Sequence, residues 1–240
     1  MNLLESNTVF SKVYGLESVD STNLELERLY SAELPEFTVV IAAEQTAGKG
    51  RLGRSWQSAP GASLSMSVLI RPTSNSEQSW LTLIASLSVT EALIDLGIDC
   101  GIKWPNDVLI GGKKVCGILA AGLPNAVIVG MGINLKSVPG QLESAVALDE
   151  LGVQISLDEI AALVGRKFRL NLQLFRTQPI ALMEQFRVRC LTLGQRVRAE
   201  FPDGSNQFGI AEKVNSSGQL VILTPEPLAL SAADVWHLRN

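Results

Sequence analysis

The stretch that decides the fold lies at residues 102–134 and reads IKWPNDVLIGGKKVCGILAAGLPNAVIVGMGIN. Turn residues such as Gly111-Gly112 and Pro124-Asn125 divide it into short β-rich segments, which we place at residues 102–104, 108–110, 114–121 and 126–134. Two-residue connections join antiparallel neighbours, because parallel strands need a crossover of a dozen residues or more. The stretch therefore predicts a series of hairpins.

The preceding and following residues alternate between strand and helix patterns. Serine alternates with apolar side chains from Ser63 to Ile70, which is typical of a strand. Further strands are predicted at residues 16–19 and 37–43. Helices are predicted to begin near Thr22, Ser74 and Ser156, each with a glutamate three residues later as in a capping box, and another at residues 181–189. Hairpins mixed with helices indicate an α+β fold with a mixed or antiparallel sheet.

The sequence pattern changes from helical to β-rich after Gly194. Short β segments alternate with turns at Asp203-Gly204 and Ser217-Gly218, and we place these segments at residues 196–201, 208–214, 220–223 and 234–238. This pattern predicts a small C-terminal β-barrel of about 45 residues, near the lower limit for independent stability. We therefore divide the chain into a catalytic domain at residues 1–190 and a barrel at residues 191–240.

The amino-acid composition of the chain argues against several classes of protein. Apolar residues make up 46% of the 240-residue chain and charged residues 18%, which argues against disorder. The formal net charge of −4 argues against nucleic acid as a partner, since phosphate binding needs a basic surface. No apolar run is long enough for a membrane span, and the N-terminus lacks a signal-peptide pattern. Three cysteines without a C-x-x-C spacing predict reduced thiols in the cytoplasm and no metal centre.

A long glycine-rich segment at residues 45–62 separates two strands. Its first part reads QTAGKGRLGRSW and holds Lys49, Arg51 and Arg54 without any acidic residue. Loops of this length in compact domains are usually functional or disordered. Backbone N–H groups and these three cations could surround phosphate or carboxylate oxygens, although solvated cations on a mobile surface loop would have the same composition.

Five motifs in order make the chain resemble the biotin–protein ligases. They are Ser21-Thr22-Asn23, Gly48–Arg54, Lys103-Trp104-Pro105-Asn106-Asp107, Lys114–Leu119 and Gly130-Met131-Gly132-Ile133-Asn134. Ala233-Asp234-Val235 is similar to a further C-terminal motif of the family. Lys49 stands where the family usually has arginine, so a bidentate contact from that position is lost.

The resemblance implies a class II synthetase-like ligase domain and a reaction in two steps. Biotin and ATP, with Mg²⁺, form biotinyl-5′-adenylate, and biotin then passes to a lysine of a biotin carboxyl carrier domain. Because the Ser-Thr-Asn motif begins at residue 21, we expect no N-terminal winged-helix DNA-binding domain. Homodimerisation stays open, since an exposed sheet edge would permit it.

The resemblance also implies roles for individual residues. Catalytic roles go to Lys114, Arg51, Lys103 and Asp107. Biotin contacts go to Ser21, Thr22, Asn23, Gln45, Lys49, Gly50, Arg51, Lys114 and Gly117. Nucleotide contacts go to Arg51, Arg54, Trp56 and Asn134.

Several of these roles have a structural alternative. Lys103 and Lys114 could be cations at strand ends that extend into water. Ser21 and Thr22 could simply cap a helix, and Asn134 could be a turn residue. Trp56 could stack on adenine or anchor its loop in the core. Asp107 could be a base toward the acceptor lysine, a partner of a cation or a turn residue.

Two other functions remain open. A lipoate–protein ligase or a related acyltransferase would share the fold and differ in its acid substrate. A non-catalytic biotin or nucleotide sensor would bind the same ligands, but it would not need cations that bring two anions together.

Overall fold

The computed structural model describes residues 1–56, 59–138, 142–201, 203–231 and 234–238. Ala233 of the C-terminal motif lies outside the described residues. The helices are α1 (Ser6–Val9), α2 (Thr22–Leu29), α3 (Asn75–Asp95), α4 (Leu157–Thr177) and α5 (Pro179–Arg189).

The strands form two groups along the chain. The first group is β1 (Lys12–Leu16), β2 (Thr38–Ala42), β3 (Ser63–Ile70), β4 (Gly101–Lys103), β5 (Asp107–Ile110), β6 (Lys113–Leu123) and β7 (Ala126–Asn134). The second group is β8 (Arg196–Glu200), β9 (Asn206–Val214), β10 (Leu220–Leu223), β11 (Pro227–Leu230) and β12 (Asp234–His237).

The first group forms a seven-stranded mixed sheet in the order β1-β2-β3-β7-β6-β5-β4. β1 runs parallel to β2, and the other neighbours pair antiparallel. The second group forms an antiparallel sheet in the order β11-β10-β9-β8-β12. This α+β arrangement confirms the predicted fold class and the series of hairpins.

The main core lies between one face of the mixed sheet and the helices α3 and α4. Leu64, Met66 and Val68 of β3 face this core, together with Trp80 of α3 and Phe168 of α4. Because side chains alternate along a strand, the serines of β3 face the opposite side. They are nevertheless buried, since α2 and the loops around the candidate site cover that side.

The β9–β10 turn packs against the first sheet and its helix. The indole nitrogens of Trp80 and Trp104 donate to the carbonyls of Ser216 and Gly218 at 3.0 and 3.1 Å. Gly218 has a φ of +75°, which favours glycine at that position. The turn therefore fixes the second sheet beside the strands that carry the KWPND motif.

Several local predictions were wrong. The first strand ends at Leu16, where we expected it to begin, because its partner β2 pairs with Lys12–Leu16. α2 begins at Thr22 after Ser21 as N-cap, so Glu25 stands one position too late for the predicted capping box, and the Thr22 amide donates to Gln45 Oε1. α1 and β11 carry weak sequence signals and were not predicted. In the described part of the chain, no helix combines the length and apolar character needed to cross a bilayer.

Candidate active site

Glycines on neighbouring strands make the floor of the candidate site. Gly132 of β7 lies opposite Gly117 of β6 and Ser65 of β3, and Gly130 lies opposite Ser67. All face the side of the sheet away from α3 and α4. A Cβ on Gly130 would lie 2.3 Å from Asn23 Oδ1. The G-x-G spacing therefore removes side chains from one face of a central strand and leaves room above it.

A hydrogen-bonded polar network closes one end of this space. Gln45 Oε1 accepts from the backbone N–H of Thr22 at 2.8 Å and from its hydroxyl at 3.1 Å. The Ser67 hydroxyl lies 2.7 Å from Thr22 Oγ1 and 2.6 Å from Asn23 Oδ1. The Asn23 amide donates to the Leu119 carbonyl. The network holds hydroxyl and amide groups in fixed orientations beside the floor.

The basic loop, which we define as residues 48–56, folds back on itself. The N–H groups of Gly50 and Trp56 donate to the carbonyls of Arg54 and Gly48, at 2.6 and 2.8 Å. A 3-10 turn, Arg51–Gly53, forms the tip, and Gly53 has a φ of +73°. A Cβ on Gly48 would lie 2.6 Å from the Trp56 carbonyl oxygen. The glycines therefore permit a tight hairpin, of which Lys49 and Arg51 line the cavity.

The Trp56 side chain covers the glycine floor. A Cβ on Gly132 would lie 2.5 Å from the indole, and Lys114 Nζ lies 5.7 Å from the ring centroid. The indole nitrogen is buried and meets no hydrogen-bond partner among the residues that the structure describes, which costs free energy. The remaining cavity measures about 60 Å³. A ligand that occupied the floor would displace the indole from this position.

Lys114 and Asp107 form an ion pair across β5 and β6. Lys114 Nζ lies 2.7 Å from Asp107 Oδ1, although the contact lacks hydrogen-bond alignment and leaves that buried oxygen able to accept. Lys103 lies one strand further out, with Nζ 5.2 Å from the Trp236 ring centroid. Burial lowers the pKa of Lys103, because desolvation disfavours its charged form.

The two loop arginines contact a carboxylate from the second sheet. Arg54 pairs with Asp234 of β12, and Arg51 lies 3.8 Å from the same carboxylate. Arg51 also donates to Asn106 Oδ1 at 3.2 Å. Burial lowers the pKa of Arg51, against the opposing effect of Asp234 and Asp107. A bound anion near Arg51 and Lys103 would offset part of this desolvation cost.

The cavity brings most of the predicted residues together. Its lining includes Ser21, Thr22, Asn23, Gln45, Lys49, Gly50, Arg51, Trp56, Lys114 and Gly117. Arg54, Lys103, Asp107 and Asn134 are not in the lining. Asp107 contacts the lining residue Lys114, and Lys103 lies opposite Asp107 in the sheet. Arg54 shares the Asp234 carboxylate with the lining residue Arg51. The Asn134 amide donates to the carbonyls of Lys114 and Val146.

Sequence reasoning assigned no role to four residues that the structure brings to the site. Asn106 lines the cavity, and its amide donates to the Ile118 carbonyl. Asp234 pairs with Arg54 of the basic loop. Ser67 contacts Thr22 and Asn23, and Gly130 lies against the Asn23 side chain. The KWPND and G-x-G-I-N motifs contain Asn106 and Gly130 and could have indicated them. The sequence around Asp234 does not indicate that its carboxylate pairs with Arg54. The sequence around Ser67 does not indicate that its hydroxyl contacts the Thr22 hydroxyl.

Within the described residues, no group of three or more His, Cys, Asp or Glu side chains could hold a metal ion. Cys100, Cys116 and Cys190 are buried free thiols. Burial raises the pKa of the Cys100 thiol to about 11, so that thiol is unreactive at neutral pH.

Comparison with known proteins agrees with this geometry. The model of the Biotin/lipoate A/B protein ligase family matches residues 15–136. A biotin–[acetyl-CoA-carboxylase] ligase of Mycobacterium tuberculosis is 36% identical over 229 residues, which cover 91% of this chain and 86% of the relative. The bifunctional ligase/repressor BirA of Bacillus subtilis is 31% identical, covering 90% of this chain and 71% of that protein.

A solved structure is similar over nearly the whole chain. The biotin protein ligase from Aquifex aeolicus in complex with biotin and ATP superimposes with a TM-score of 0.82 at 30% identity, covering 96% of this chain and all of that one. With the family match and the glycine-floored, cation-rimmed cavity, this likeness leads to one conclusion. The chain belongs to the biotin/lipoate A/B protein ligase family.

Proposed function

We propose that this chain is an ATP-dependent biotin–protein ligase. It joins biotin to ATP, giving biotinyl-5′-adenylate and pyrophosphate, and transfers biotin to a lysine of a biotin carboxyl carrier domain. One observation carries the proposal: a single cavity places a fixed hydroxyl and amide network at one end and Arg51 and Lys114 at the other. Relatives and a solved neighbour whose names specify biotin support the choice of acid.

The polar network suits the neutral end of biotin. A ureido ring offers one carbonyl acceptor and two N–H donors, and it needs aimed partners within an apolar wall. Thr22, Asn23 and Gln45 supply these partners, and Ser67 orients two of them. The valeryl chain would then run over the glycine floor toward Lys114, displacing the Trp56 indole.

The cations suit the activation step. A carboxylate oxygen of biotin attacks the α-phosphorus of ATP, and the bond to the β-phosphate breaks, so that pyrophosphate leaves. Two anions must approach each other, and fixed positive charges in a partly buried site lower the barrier. Lys114 and Arg51 would lie against the reacting groups, with Arg54 and Lys103 further out. Trp56 and Asn134 remain our candidates for the adenine.

Asp107 suits the transfer step. The acceptor amine attacks the carbonyl of the mixed anhydride, AMP leaves and the nitrogen loses a proton. Asp107 Oδ1 is buried, able to accept a hydrogen bond and 2.7 Å from Lys114 Nζ. We propose that it receives that proton or orients the incoming amine.

The carboxylates at this site could help to bind the magnesium ion that accompanies ATP. The ion usually binds through one or two carboxylates, substrate phosphates and water. Asp107 lies beside Lys114 and Asp234 beside Arg51, and either carboxylate could supply one oxygen toward a bound triphosphate. When bound, the ion shields the charge of the triphosphate.

The organisation of the chain is also part of this proposal. We propose a catalytic domain at residues 1–190 and a smaller domain at residues 191–240, since the two sheets share no strand. A cytoplasmic location is supported by the buried free thiols. Self-association through a sheet edge stays a prediction.

Exchange of labelled pyrophosphate into ATP tests the first half-reaction directly. We expect exchange that depends on biotin, and a mass increase on one lysine of a carrier domain after incubation with ATP. Lipoate in place of biotin is the control. Exchange with lipoate alone would identify a lipoate ligase, and tight biotin binding without exchange would identify a sensor.

A further inference from the structure

The outer face of the C-terminal sheet exposes four large apolar side chains side by side. Phe208, Ile210, Leu223 and Trp236 are 57%, 48%, 40% and 45% exposed. Single exposed apolar residues are common on soluble proteins, whereas contiguous patches mark interaction sites.

Strand register makes them contiguous. Arg198 of β8 lies opposite both Trp236 of β12 and Phe208 of β9. Ile210 lies opposite Arg196 and, on its other side, Leu223. Directly opposite residues in antiparallel strands point to the same face, so the apolar side chains and two arginines form adjoining rows.

This face is basic within an acidic protein. Lys103 Nζ and Arg198 Cζ lie 5.2 and 5.7 Å from the Trp236 ring centroid, and Arg196 is exposed. The chain as a whole carries a net charge of −4. Two acids on this face already have cationic partners, since Glu200 lies 3.5 Å from Arg198 and Asp234 pairs with Arg54. The face is therefore complementary to an apolar surface with acidic margins.

The face continues into the rim of the catalytic cavity. Asp234 lies two residues before Trp236 on the same side of β12 and pairs with Arg54 of the basic loop. Neighbouring strands are about 4.8 Å apart, which places Phe208 about 10 Å from Trp236. A protein that extends a lysine into the cavity would cover this face with the surface around that lysine.

We propose that the outer face of the C-terminal sheet docks the protein acceptor during the transfer step, through an apolar acceptor surface with acidic margins. This inference rests on the proposed ligase function. It assigns the second sheet a role in selecting the protein substrate, separate from adenylate formation.

The test separates the two half-reactions. Phe208→Thr with Ile210→Thr removes the apolar centre and places at both positions a β-branched residue that suits a strand. We expect the KM for an isolated biotin carboxyl carrier domain to rise about ten-fold or more, because exposed aromatic anchors commonly dominate docking. Biotin-dependent pyrophosphate exchange and the melting temperature should stay within experimental error of the unaltered protein.

A matched control uses exposed apolar residues elsewhere. Ile180→Thr with Val188→Thr alters side chains on α5 that are 75% and 72% exposed, and it should leave the carrier KM unchanged. Arg196→Glu should raise the carrier KM and weaken its dependence on ionic strength.

Three outcomes overturn the docking proposal. An unchanged carrier KM in the Phe208/Ile210 variant refutes it, provided that exchange is normal. An equal effect of the α5 control also refutes it. Sedimentation that shows loss of a dimer, with an unchanged carrier KM, would assign the face to a second copy of the chain. Absence of exchange in the unaltered protein would instead refute the proposed function.

Discussion

Replacing Lys114 with alanine tests the proposed role of the cations most directly. Two unit charges about 4 Å apart interact by about 4 kcal/mol at an effective dielectric constant of 20. The Lys114 side chain is 34% exposed, so solvent screening reduces this energy, and we expect a loss of about 2–4 kcal/mol of transition-state stabilisation. Lys114→Ala should therefore slow adenylate formation by about 30- to 1,000-fold.

The assay is biotin-dependent pyrophosphate exchange at saturating biotin and ATP. Lys113→Ala is the matched control, because Lys113 is exposed and neighbours Lys114 on β6 while pointing to the other face. Loss of the Lys114 side chain leaves Asp107, 21% exposed, without its 2.7 Å partner, so unfolding should become easier by about 1–2 kcal/mol. Exchange within three-fold of the unaltered rate in a folded Lys114→Ala protein would refute the reasoning, as would an equal loss in Lys113→Ala.

Three further predictions concern the floor, the core and the basic loop. Gly130→Ala places a Cβ 2.3 Å from Asn23 Oδ1, so Asn23 must shift. The KM for biotin in the exchange assay should therefore rise about ten-fold. An unchanged KM would contradict the assigned network. Arg176→Leu leaves Glu77, which is 1% exposed, without its 2.8 Å partner. Urea denaturation should show that the free energy of unfolding falls by about 3–5 kcal/mol. A fall of less than about 1 kcal/mol would mean that the pair is dispensable. Asp234→Asn weakens the anchor of the basic loop, so trypsin should cut that loop about two- to five-fold faster without ligand, whereas equal rates would show that the ion pair does not restrain it.

Much of the framework follows from local sequence signals. The alternation in β3 and the capping box at Ser156 correctly predicted a strand and a long helix, because both depend on residues a few positions apart. The hairpins from β4 to β7 followed from turn residues between β-rich runs. The family motifs indicated which loops carry the chemistry, and the ligase family is confirmed by the matches to known proteins.

Tertiary structure decided what these local signals could not contain. The side chain of Gln45 accepts from the Thr22 amide 23 positions away, a contact at the start of α2 that no local pattern indicates. Asp234 meets Arg54 across 180 residues, so no local pattern indicates that the second sheet contributes a carboxylate to the site. The sequence by itself determined the fold class, the hairpins and the chemical character of the basic loop, because short-range periodicity, turn residues and charge are local properties. The three-dimensional packing decided that alternate glycines form a floor, that Trp56 covers it and that a basic apolar face adjoins the cavity, because each depends on strand register between distant segments.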